Sequence, residues 1–158
     1  MKQRKKSKYV PKPVRLNNMD FVTESISPIS SMKSFYTTLN LKNMSALDSF
    51  GKGTATKLEA DVVIEALNVC EAYCMMNVGR EYRRDVSSAL SALKDVCVRS
   101  LTSDGKFICQ GNEFELIKAG FEVHTAQLEV ATIGSLEAAI KLVFSTLKAK
   151  RAKVIQDA

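Results

Sequence analysis

Proline does not occur after position 28, leaving 130 consecutive residues without that break. Proline interrupts helices because it lacks an N–H and its ring clashes with the preceding turn. Its absence permits long helices, and the spacing of apolar residues decides whether they form. From position 56 that spacing is three and four residues, the period of one helix face. Over about 56–77 the stripe is Leu58, Val62, Ala66, Val69, Tyr73 and Met76, with Val63, Leu67, Cys70 and Cys74 beside it. Over about 80–101 it is Tyr82, Val86, Ala89, Leu93, Val96 and Ser100, with Leu90, Cys97 and Leu101 adjacent. Over about 112–131 it is Phe114, Ile117, Phe121, His124, Leu128 and Ala131, widened by Leu116, Val123 and Val130. Over about 135–150 it is Leu136, Ala139, Ile140, Val143, Phe144 and Leu147.

The breaks fall where turn chemistry sits. Thr54 or Thr56 can cap the 56–77 segment, and Glu59 and Asp61 lie where the helix dipole favours acid. Gly79 ends it, Asp104-Gly105 signals a turn, and Thr132-Ile-Gly-Ser135 re-caps the chain. Lys106–Cys109 reads as a short extended connection. Upstream, residues 42–50 read as a short helix stopped by the Gly51-Lys-Gly53 run. Met19, Phe21, Val22 and Ile26 hint at another helix that ends before Pro28, because the residue before proline disfavours the α region. Six of the seven glycines coincide with expected breaks; Gly120 alone falls inside a helix, where it allows close packing. Amphipathic segments joined by short loops imply an all-α, single-domain helical bundle of about four to six helices.

The net charge of +6 is unevenly placed. Residues 1–15 hold seven bases and no acid; residues 16–147 hold 12 bases and 16 acids; residues 148–158 hold four bases and one acid. The organisation expected is therefore a disordered or extended basic arm over 1–16, a helical bundle over 17–150 and a frayed basic tail over 151–158. Like charges repel along the arm, Pro11 and Pro13 stiffen it, and little apolar surface is available to bury. An apolar fraction of 46% argues against disorder of the whole chain. No apolar run approaches the ~20 residues of a membrane span. No apolar h-region follows the basic start, so neither a signal peptide nor a membrane role is expected, and the cytoplasm is the expected compartment.

Nucleic acid attracts an arm of this kind, because each neutralised phosphate releases condensed counterions. Lys2, Arg4, Lys5, Lys6, Lys8, Lys12 and Arg15 are the candidate contacts, and Tyr9 can stack on a base or sugar. Such contacts position without specifying, so the binding expected is non-specific. The alternatives are a solubilising segment, or docking on an acidic surface of this or another protein. The Lys148–Lys153 run reads first as cations favoured at a helix C-terminus. Arg80, Arg83 and Arg84 are interleaved with Glu81 and Asp85, the pattern of a solvated face.

No phosphate loop, dinucleotide-binding glycine pattern, nucleophile elbow or zinc-protease motif is present. Cys70 and Cys74 are one helical turn apart. With Cys97, Cys109 and His124 they offer enough ligands for a metal in principle. Three of the four cysteines sit in apolar stripes, however, where free cysteine behaves as a small hydrophobe. No metal, no cofactor and no catalytic residue is therefore expected. His124, the single histidine, and Gln127 share a seam and are read as a buried pair or as candidate residues of a two-fold interface between copies.

Several stretches carry a resemblance: the basic start running into Tyr9-Val-Pro-Lys-Pro-Val-Arg15, Leu41-Lys-Asn43 with Ala46-Leu47, Gly53-Thr-Ala-Thr56, Ala66-Leu-Asn68 with Glu71-Ala72, and His124-Thr-Ala-Gln-Leu128. On these the chain resembles a group of small uncharacterised helical proteins encoded by tailed bacteriophages and prophages of Gram-negative bacteria. The resemblance implies a phage accessory product in the host cytoplasm and adds no functional residues. Three roles follow as expectations. The first is a non-enzymatic protein that contacts nucleic acid through its arm. The second is an interaction module that inhibits or redirects a host protein, such as a defence component or polymerase. The third is a homo-oligomeric structural or ligand-sequestering protein. Capture of a small molecule in a helical pocket is a further reading, for which the sequence offers no signature.

Overall fold

The structure is a computed structural model that describes residues 25–156, with side chains described to residue 150. Five α-helices occur among the described residues: α1 (Lys33–Lys52), α2 (Lys57–Met75), α3 (Arg83–Ser100), α4 (Glu113–Val130) and α5 (Ile133–Gln156). Single 3-10 turns, Ile29–Ser31 and Arg80–Tyr82, precede α1 and α3. No strand forms among the described residues, and one isolated antiparallel bridge joins Pro28 to Thr132. The chain is the all-α, single-domain bundle that its periodicity implies.

Helix α2 is the hub and touches all four other helices. Its start is fixed by a capping box in which the Glu59 carboxylate accepts from the Thr56 backbone N–H at 2.9 Å and from the Thr56 hydroxyl. Its fully buried face is Val63, Leu67, Cys70 and Cys74, flanked by Tyr73. The centre of the seam is thus the set read as lying beside the stripe, and Leu58, read as part of the stripe, is 73% exposed. Tyr82, Leu101 and Val130 are likewise exposed. Tyr82 lies in the 3-10 turn before α3, Leu101 just after α3, and Val130 is the last residue of α4.

Helices α3 and α4 make the closest pair. Gly120 allows it: a Cβ there would lie 2.6 Å from Ala89 Cβ and 2.9 Å from Leu67 Cδ2. Gly51 corrects the reading of the Gly-Lys-Gly run as a break. It lies inside the last turn of α1, packed on the Phe114 ring, and the left-handed residue that ends the helix is Gly53, at φ 68°. Helix α1 also begins nine residues earlier than the 42–50 segment. No side chain caps that start. The first half is held by packing, with Tyr36 and Leu39 against a cluster of Ile29, Tyr73, Leu128 and Ala139. The segment before it is a strap over the α4–α5 turn, where Ile29 N–H donates to the Ala131 carbonyl and Ile133 N–H to the Ser27 carbonyl, both at 3.0 Å. The helix expected before Pro28 lies mostly outside the described residues; Ser25 and Ile26 are helical.

The 102–112 connection is turn over 101–105, and the stretch Lys106–Cys109 runs on without helix or strand. It is anchored by Phe107, whose ring packs on Phe50 at 6.2 Å between centroids. Arg99 fastens it from the side. Its guanidinium forks onto the Glu113 carboxylate, with Nη1 to Oε1 at 2.9 Å and Nη2 to Oε2 closer still, and donates to the Ile108 carbonyl at 3.2 Å.

Candidate functional site

The arm residues Lys2, Arg4, Lys5, Lys6, Lys8, Tyr9, Lys12 and Arg15 lie outside the described residues. Over residues 25–150 bases and acids are balanced, 14 of each, and Arg151 and Lys153 add two bases in the last turns of α5. Arg80, Arg83 and Arg84 are exposed and interleaved with exposed Glu81 and Asp85, so they form no isolated basic patch. Helix α5 runs on through the basic residues to Gln156.

His124 and Gln127 are both 3% exposed. They are buried inside one chain, so they present no surface to a second copy. Gln127 acts as a clasp between α4 and the end of α2. Its Nε2 donates to the Val78 carbonyl at 2.9 Å and the Cys70 carbonyl at 3.2 Å, and lies 3.5 Å from Cys74 Sγ. This orientation leaves Oε1 buried without a hydrogen-bond partner, as is His124 Nδ1. The two residues are one turn apart on α4. Burial drives the His124 pKa down to about 4, and Gln127 opposes this only in part, so the ring is neutral at pH 7.

His124 also lines a largely apolar opening in the described bundle. A cavity of about 490 Å³ lies between α1, α2, α4 and α5. Helix α5 packs chiefly on α2, and its Leu136, Ala139 and Val143 share a cluster with Leu39 of α1 and Leu128 of α4. The walls are Leu39, Val62, Val69, Leu128, Leu136 and Val143; Phe35, Ile140 and Phe144 stand at its edge with large exposed fractions. Lys42 and Glu65, also at its edge, face each other at 3.9 Å with both side chains more than half exposed. A second, more open cleft of about 460 Å³ lies between the Arg80–Tyr82 turn and α4 and carries Glu81, Asp85 and Glu122.

All four cysteines are free thiols. Burial pushes the Cys70 thiol up to about 12, and burial likewise raises Cys74, Cys97 and Cys109. Each is thereby weakened as a nucleophile, since the thiolate is the reactive form. Cys109, in the 102–112 connection, is half-buried against the core. No group of three or more potential metal ligands is found among the described residues. No described helix is long and apolar enough to cross a membrane.

The sequence placed His124 and Gln127 on a common seam but did not reveal the clasp, which depends on a loop carbonyl, nor the cavity, which depends on how four helices meet. Comparison with known proteins found no matching family model, no similar curated protein and no similar solved structure.

Proposed function

We propose that the chain is a non-enzymatic accessory protein of phage type that contacts nucleic acid through its basic arm, with the helical bundle carrying that arm. The observation that supports this reading is the segregation of charge. Residues 1–15 hold seven bases and no acid, whereas residues 25–150 hold equal numbers of each. An arm of this composition neutralises several phosphates at once and releases their counterions, while the bundle offers no comparable field. Tyr9 adds a stacking face that tolerates any base. Binding is then broad in sequence, because phosphate contacts carry no sequence information.

The test is fluorescence anisotropy at low salt with labelled single-stranded DNA, duplex DNA and RNA. It compares the full chain with a full-length variant whose seven arm bases are glutamine. The reading expects the variant to lose at least about 100-fold in affinity for whichever polymer binds, with its helical circular dichroism unchanged. Equal binding by both chains, or no binding by the full chain, overturns it. Recovery of one stoichiometric, nuclease-insensitive host protein in place of nucleic acid would favour the interaction module instead.

A further inference from the structure

We propose that the cavity between α1, α2, α4 and α5 is a binding site for a small, uncharged, largely apolar molecule carrying one hydrogen-bond donor, of the kind represented by an aliphatic alcohol. The proposal is independent of the arm. A cavity of about 490 Å³ has the size of ligand sites, which commonly run from ~300 to ~1,000 Å³. Its walls are mostly apolar, with Asn43 and Asn68 the uncharged polar residues besides His124, so burial of a hydrocarbon body drives entry. The charged groups at its edge, Lys42 and Glu65, oppose each other at 3.9 Å and leave no net field to draw in an ion.

His124 supplies the polar recognition. Its Nδ1 is sealed from solvent, so the ring meets the cavity along its other edge. Gln127 Nε2 is committed to the Val78 and Cys70 carbonyls, and Gln127 raises the His124 pKa, so it acts on the ring as an acceptor. An acceptor beside the ring suits the tautomer with its proton on Nδ1. Nε2 is then an acceptor, and it asks a ligand for a donor. A neutral ring beside apolar walls offers a carboxylate no compensation for its lost hydration. A peptide helix laid on the groove would bring apolar side chains to a nitrogen that needs an N–H or O–H. A small molecule with one such group satisfies both the walls and the ring.

The test uses the full chain and the neutral fluorophore N-phenyl-1-naphthylamine, whose emission rises in apolar surroundings. The expected result is saturable uptake at one site, with displacement by 1-decanol. Methyl nonyl ether, which lacks the O–H, and decanoate should each displace at least about ten-fold more weakly, because a site that pairs a donor rejects analogues without it. Val143→Trp fills the cavity from α5 and should reduce uptake at least ten-fold with helicity unchanged. Ile140→Trp, at the partly exposed edge, supplies the same block should the first variant fail to fold. His124→Phe should keep the fluorophore and erase the preference for decanol over its ether. The proposal is overturned if uptake does not saturate, or if a folded Trp variant leaves it unchanged. Equal displacement by all three competitors overturns it too, as does light scattering that shows a dimer whose dissociation is required for uptake, since a second copy would then be the occupant.

Discussion

At the scale of single residues, a few positions carry more than their size suggests. Gln127 holds the end of α2 and the following loop to α4 through donations to two carbonyls. Gln127→Leu removes the donors and leaves the Val78 carbonyl short of a partner, so a loss of about 2 kcal/mol in urea denaturation is expected. Lys94→Ala, on the exposed side of α3, should stay within about 0.5 kcal/mol. Gly120→Ala drives a methyl group into Ala89 and Leu67 and should cost about 1–3 kcal/mol, with Ala89→Gly restoring part of it in the double variant. Failure of that rescue would mean that α3 and α4 do not touch there.

His124 makes stability depend on pH. Its folded pKa, about 4, lies below the ordinary 6.5. Between those values the unfolded chain binds a proton that the folded chain refuses, so stability falls as pH drops through that window. The loss from this residue saturates near pH 4 at roughly 3 kcal/mol or less. The stability difference between the native chain and His124→Phe, measured by urea denaturation from pH 7.5 to 4, should shift steadily against the native chain on acidification. A constant difference would show that the ring is not held neutral by burial.

At the scale of elements, the last four helices are readable from spacing alone, because each carries apolar residues three and four positions apart along its length. The expected span 56–77 folds as Lys57–Met75, and 112–131 as Glu113–Val130. Helix α1 was only half legible. Its first half contains Thr37, Thr38 and Asn40, which favour helix weakly, and it has no side-chain cap. Tyr36 and Leu39 hold it by contacts that no local pattern announces. The connection between α3 and α4 depends on the Arg99–Glu113 fork, in which Arg99 holds the Glu113 carboxyl below its usual range. Glu113→Gln should raise amide exchange across residues 101–110 several-fold while costing about 1 kcal/mol globally. Unchanged exchange would mean that Phe107 alone anchors the loop.

At the scale of the molecule, the bundle is electrically balanced and the arm is not. The contacts make α2 central, and the even charge of residues 25–150 means that the proposed attraction for phosphate rests on the segment before them. The cavity was illegible in the sequence for a physical reason. Leu39, Val69, Leu136 and Val143 have the spacing of ordinary core residues and pack against one cluster, so nothing in their pattern marks them as the lining of a cavity. The arm, by contrast, is legible only as composition. The most direct test of its role is the salt dependence of nucleic-acid affinity, measured for the full chain and for the variant with all seven arm bases replaced by glutamine. Each arm base that meets a phosphate should contribute about 0.7–0.9 to the slope of log affinity against log salt. A steep slope for the full chain that collapses in the variant is the predicted result; a slope that is the same in both would contradict the assignment of phosphate binding to the arm.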